Sequence, residues 1–171
     1  MLQVRHYQPV EGMPTQLAQL SGPCGPASVW LVLSRHGISA DPEEIISLCR
    51  YTDEFGAFAV QMVVALRHFG LQVRLHSDPD PAPHILEQEA YGRVCAQPAV
   101  SLSTLLKDVG SGASVIVSYL AYGGDGHFSP LAGAKANKLL LPYSIEGEML
   151  RSEFRKRWRA GGILRQAIVA T

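Results

Sequence analysis

Helical punctuation and the strand period are segregated along this chain, and that segregation limits the fold more than any other feature. Up to Gly70, apolar stretches lie between helix-capping and helix-ending residues. Ser21-Gly22-Pro23-Cys24-Gly25-Pro26 is a turn-rich segment feeding an apolar stretch over residues 27–33 that ends at His36-Gly37. Pro26 suits a first helical turn and Gly37 the residue just past the end, which predicts a helix of about three turns. Asp41-Pro42-Glu43-Glu44 opens a second helix, with Asp41 as cap, Pro42 at the first position and Glu44 reaching back as in a capping box. A third is expected over residues 58–69, stopping at Gly70.

Beyond Gly70 the period becomes that of a strand. Residues 71–76 alternate apolar and polar, and Asp78-Pro79-Asp80-Pro81 breaks the run. Residues 82–100 fit a short helix plus an extended piece. Ser101 caps a helix to about Asp108, Gly110-Ser111-Gly112 turns the chain, and residues 113–122 form a strong strand. After the turn Gly123-Gly124-Asp125-Gly126, strands are expected over residues 127–135 and 138–141, joined by a tight turn at Ala136-Asn137. A helix over residues 149–158, ended by Gly161-Gly162, and a strand over residues 163–170 complete the chain. Helices first and antiparallel strands later make the fold class α+β. With 171 residues, no internal repeat and no linker, residues 1–171 form one domain.

Composition removes several function classes. Lys plus Arg and Asp plus Glu are 15 each, so the formal charge is zero and a nucleic-acid partner is not expected. The three cysteines, Cys24, Cys49 and Cys95, are odd in number and lack short paired spacing, which fits a reducing compartment rather than a disulfide framework. The N-terminal run MLQVRHYQPVEGMPTQ has no signal-peptide pattern, and the apolar run over residues 113–121 is too short to span a bilayer. A cytoplasmic protein without membrane contact is therefore expected. The basic stretch over residues 151–159 carries Phe154 and Trp158 at i and i+4, the pattern of an amphipathic helix facing a core rather than of an RNA surface. The two Gly-rich turns lack Walker spacing, and Cys49, Cys95 and the scattered histidines make no zinc pattern, so no cofactor or metal is expected.

Two residues carry chemistry. Cys24 stands at the opening of the first helix among glycines and prolines. Unsatisfied amides and the helix dipole there favour a thiolate and lower the thiol pKa, and small neighbours let a carbonyl approach the sulfur. A free Cys is otherwise simply a small buried apolar residue. His127 begins a strand directly after a Gly-rich turn, in Gly126-His127-Phe128-Ser129-Pro130. A base at a strand start can meet a nucleophile at a helix start without sharing its sequence neighbourhood, as thiol acyl transfer requires. For His6, His36, His68, His76 and His84 a structural role is expected.

Cys24-Gly25-Pro26-Ala27-Ser28, its apolar helix and Gly37 resemble the nucleophile helix of papain-fold cysteine peptidases, among them the bacterial peptidases that cleave double-glycine leaders and their stand-alone cousins. Val115-Ile116-Val117-Ser118-Tyr119, a loop and Gly126-His127-Phe128-Ser129-Pro130-Leu131 are similar to the histidine region of phytochelatin synthases, which share the papain-like fold and transfer a γ-glutamylcysteine unit from glutathione. The resemblance implies a papain-like domain with the Cys-bearing helix packed on a twisted antiparallel sheet. It implies Cys24 as nucleophile and His127 as general base and acid. An oxyanion-hole Gln is implied a few residues before the Cys. Gln19 lies five before it and Gln16 eight before it, with Ala18 in the usual six-before position; Gln19 is the preferred candidate.

The departure is at the third catalytic position. The resemblance places an Asp or Asn on the strand after the histidine strand, just before a proline, and in Lys138-Leu139-Leu140-Leu141-Pro142-Tyr143-Ser144 that slot holds Leu141. A leucine cannot accept from an imidazole. Three arrangements remain: a Cys–His dyad; another acceptor such as Asn137, Ser144 or a backbone carbonyl; or a groove kept without catalysis. The expected function is a thiol-dependent amide hydrolase or acyl transferase acting through a Cys24 thioester on a peptide or glutathione-like small substrate. The rival is a binding module holding a peptide or carrier domain, and a third reading is a subunit completed by a protein partner.

Overall fold

A computed structural model describes residues 10–171; His6 and most of the N-terminal run lie outside them. Seven helices and eight strands are present among the described residues. After the short α1 (Thr15–Ala18), α2 spans Cys24–Arg35. It begins three residues before the apolar stretch, with Pro23 as N-cap and the Ala27 N–H bonding the Pro23 carbonyl at 2.8 Å. Pro26 thus falls in the first turn, where a missing N–H removes no helical bond. Gly37, at φ +69°, ends the helix and lets the Ile38 N–H return to the Leu33 carbonyl at 2.9 Å. In α3 (Pro42–Leu48) the Asp41 side chain caps the Glu43 N–H at 3.1 Å. Glu44 does not close the expected capping box; it reaches His68 at 3.0 Å, at the end of α4 (Ala59–His68).

The main sheet has the order β2-β1-β8-β3-β4. β1 (Val73–Ser77), β8 (Gln166–Ala170), β3 (Ser114–Leu120) and β4 (Gly126–Pro130) pair antiparallel, and two-residue β2 (Gln97–Pro98) joins β1 in parallel. Both faces are covered. Ile116 and Ile168 enter one core with Val29, Leu33, Met62 and Leu66 of α2 and α4. Their neighbours Val115, Val117, Ala167 and Val169 enter a second core with Leu105 of α6 (Leu102–Gly110) and Phe154 and Trp158 of α7 (Arg151–Trp158). Alternating side chains pointing to opposite faces explain why β3 is buried almost throughout although its period is two. As expected, Phe154 and Trp158 face inward, with the Trp158 indole donating to the Gln166 carbonyl at 3.1 Å.

Among the boundaries that differ from the sequence reading, two lie within residues 127–151. The strand expected over residues 127–135 is two strands in two sheets: β4 ends at Pro130, and β5 (Gly133–Lys135) begins a separate sheet with β6 (Lys138–Leu140) and β7 (Glu148–Leu150). Leu131, buried in the second core, and Gly133 at φ +143° make the bend. Helix α7 starts at Arg151 rather than residue 149, because Met149 is paired with Leu139 across β6 and β7. Residues 82–100 hold α5 (Ile85–Tyr91) followed by β2, as the composition of that stretch suggested. No helix among the described residues is long and apolar enough to cross a membrane.

Candidate active site

The start of α2 lies against β4, and between them opens a cleft of about 650 Å³ lined by both Cys24 and His127. The segment leading to Cys24 is pinned from the far side of α3. The Tyr51 hydroxyl accepts the Gly22 N–H at 3.0 Å and donates to Asp53, whose carboxylate also takes the Ser21 hydroxyl at 2.7 Å. These two hydrogen bonds hold the Asp53 carboxyl below the usual range. Gly25 is required by space: a Cβ there would meet the Ala57 Cβ at 2.8 Å.

Cys24 is partly exposed to the cleft, and the N–H groups of Phe128, Gly25 and Cys24 itself are directed at its sulfur. Those amides favour the thiolate, as the helix start led one to expect. The surrounding protein removes more solvation than they restore, so burial pushes the thiol pKa up rather than down. Of the other cysteines, Cys49 is fully buried, its thiol pushed up by burial, and Cys95 is exposed.

His127 opens β4 opposite Tyr119 of β3 and is 2% exposed. Its Nε2 lies 2.6 Å from the Tyr143 carbonyl oxygen. A carbonyl only accepts, so Nε2 carries the proton and Nδ1 is the basic nitrogen of the neutral ring. The Tyr143 ring stacks on the imidazole at 5.7 Å and 10°, and Tyr119 meets it edge-on at 5.3 Å. Tyr143 is held in turn through its N–H, which the fully buried Ser129 hydroxyl accepts at 3.2 Å. Burial pulls the His127 pKa down to about 4, partly opposed by the bond to Tyr143. Both shifts favour the uncharged forms, a thiol at Cys24 and a neutral imidazole at His127.

The hydrogen-bond acceptor at the His127 ring is main chain. Leu141 is buried in the second core, its N–H donating to Gly147 and its carbonyl accepting from the Ser144 hydroxyl at 2.8 Å. That bond engages Ser144, and Asn137 is exposed in the β5–β6 turn, its carbonyl accepting the Arg151 N–H. Of the acceptors considered from sequence, a backbone carbonyl holds the ring, two residues beyond the leucine. Tyr143 has no signature as an acceptor in the sequence, because every residue carries a main-chain carbonyl, and the Ser129 hydroxyl bonds it only through the fold. Gln19 is exposed at the C-cap of α1 and does not line the cleft, and neither does Gln16. Of the remaining histidines within the described residues, each has a local partner: His36 with Ser114, His68 with Glu44, His76 with the Pro98 carbonyl, and His84 with the Leu86 N–H.

No family model matches the sequence, and no curated protein matches it. In three dimensions the chain is similar to a double glycine motif protease from an AMS/PCAT transporter, solved in complex with the leader peptide. The TM-score is 0.54 at 17% identity, over 86% of this chain and 82% of that one. It is likewise similar to the peptidase domain of Streptococcus ComA, a bifunctional ABC transporter involved in a quorum-sensing pathway, with a TM-score of 0.56 at 17% identity over 86% of this chain and 90% of that one. The fold is therefore that of papain-like cysteine peptidase domains, the arrangement the Cys24 and His127 motifs implied. One is a double glycine motif protease and the other a transporter peptidase domain; the likeness to phytochelatin synthases rests on the residues around His127 alone.

Proposed function

We propose that the chain is a cysteine peptidase-like hydrolase acting on a peptide amide. The observation that carries this reading is the bond at the His127 ring: its Nε2 lies 2.6 Å from the Tyr143 carbonyl oxygen, in a cleft that Cys24 also lines, and this supports a neutral imidazole acting as base. An amide carbonyl from the main chain is the same chemical acceptor as the side-chain carbonyl of the Asn in Cys-His-Asn sites, so the absence of an acidic residue does not disable the pair.

Catalysis then starts from the neutral pair. His127 takes the Cys24 thiol proton as the sulfur attacks the substrate carbonyl, and the oxyanion draws on the Cys24 N–H at the positive end of α2. Collapse expels the amine, which takes the proton from His127 and leaves a thioester. Water attacks with His127 again as base, and the acid is released. An amine acceptor in place of water would make the same site an acyl transferase. Gln19 adds a second oxyanion donor only if its side chain turns over the cleft.

Nitrophenyl acetate tests the pair without a known substrate. A hydroxylamine-sensitive acetyl thioester should form on Cys24, located by peptide mass mapping, and His127→Ala should slow it by about 10²–10⁴-fold. Exposed Cys95 and buried Cys49 serve as controls. Acetylation of Cys95 with none at Cys24 would overturn the proposal. That result would favour the second reading, a peptide-holding groove, whose support is the placement of Gln19 outside the cleft.

A further inference from the structure

Charge is distributed unevenly over a chain whose formal charge is zero. Five carboxylates line the cleft, from Asp53, Glu54, Asp80, Glu87 and Asp125, and no Lys or Arg among the described residues lines it. The ion pairs found among the described residues use Glu44, Asp78, Glu89, Asp108, Glu148 and Glu153, all outside the cleft. Glu87 is 5% exposed, and among the described residues its carboxylate accepts only the His84 N–H, at 3.0 Å. These acids do not converge as a metal-binding group.

An apolar shelf lies among them. Phe55 is 45% exposed and stacks with Phe58 at 6.4 Å, and the His84 ring lies 4.6 Å from Phe55. A closed turn presents it: Thr52 and Gly56 exchange both backbone bonds, and the Thr52 hydroxyl takes the Phe55 N–H at 3.1 Å. Gly56, at φ +68°, permits that turn. The same segment touches the nucleophile helix, since Ala57 sets the space available at Gly25. An exposed ring edged by carboxylates fits a long aliphatic stem ending in a positive charge, the stem on Phe55 and the cation between ring and acids.

We infer that the cleft selects peptides carrying a Lys or Arg side chain beside the amide that Cys24 attacks, with Phe55, Glu54, Asp80 and Glu87 forming the subsite. This rests on the peptidase reading above and names its substrate class. The probes are three blocked octapeptides with a central Gly-Gly, identical except for two flanking positions that carry Lys, Gln or Glu. Binding is measured by calorimetry to Cys24→Ala, so that no turnover intervenes. The Lys peptide should bind about tenfold more tightly than the Gln peptide, equivalent to one cation–π or ion-pair contact, and the Glu peptide least. Added salt should narrow the gap. In Glu54→Gln/Asp80→Asn, with an unchanged unfolding midpoint, the Lys preference should fall to about twofold or less. Equal binding of Lys and Glu peptides, a preference unaltered in the double variant, or no binding of any of the three would overturn the inference. Acetylation of Cys24 in the unaltered protein reports on the peptidase reading separately: a Lys preference without acetylation retains the subsite and removes the hydrolase.

Discussion

Cys24 and His127 reach one cleft by different kinds of support. The cysteine sits at a helix start that Pro23 as cap and Pro26 in the first turn specify within a few residues, and Tyr51, Asp53 and Ala57 then hold that start in place. The histidine depends on groups that other elements bring to it: the Tyr143 carbonyl from beyond β6, which the Ser129 hydroxyl of its own strand helps to hold, and Tyr119 of β3, whose ring leans on Phe154 of α7 at 5.9 Å. A nucleophile can be placed by local backbone geometry, because a helix N-terminus supplies both position and dipole. A base needs an oriented ring in a chosen tautomer, and only packing and a partner on another element provide those.

The comparison breaks most severely at α7. Phe154→Ala empties a fully buried site and should cost about 3–5 kcal/mol in chemical denaturation. If the histidine side is the tertiary one, acetylation of Cys24 should fall in this variant even under conditions where it remains folded, because Tyr119 and the imidazole lose their backing.

Acid should act through the same side. His127 moves from 6.5 to about 4 on folding, so its neutral form is favoured in the native state. The associated stability is complete above pH 6.5 and is lost as pH falls toward 4, about 3 kcal/mol in all. Urea titrations at several pH values should show this loss in the unaltered protein and a correspondingly shallower acid limb in His127→Phe. Equal limbs would mean that burial of the ring does not set its protonation.

On the cysteine side, Gly25→Ala should destabilise by about 2 kcal/mol, as the new methyl pushes on Ala57, and should slow acetylation by displacing the start of α2. An unchanged thermal midpoint would show that the helix start has slack. The smallest effect sharpens the comparison. Ser129→Ala leaves the buried Tyr143 N–H without its acceptor and should cost about 1 kcal/mol. Its acetylation rate should drop roughly tenfold, beyond what stability explains, if anchoring of the Tyr143 backbone positions His127.

Particular residues show how much could be read beforehand. Asp41 and Ser101 cap helices as their spacing predicted, Gly37 and Gly70 end them at positive φ, and Cys24 opens α2. The split of residues 127–135 between two sheets was not legible, because Pro130 and Gly133 can mark a break in a strand but do not say which sheet the chain joins after it. Leu141 looked like a broken triad, yet it is a core residue beside a main-chain acceptor that every amino acid carries equally.

The sequence by itself determined the periods, caps and breaks, and with them the α+β order and the placing of a cysteine at a helix start and a histidine at a strand start. These are short-range steric and hydrogen-bonding effects, written in neighbouring residues. Only the tertiary structure decided which carbonyl holds the imidazole, that burial outweighs the helix start in setting the thiol's pKa, and that five carboxylates face one cleft. Solvation and long-range contact depend on what the rest of the chain brings alongside, which no local pattern records.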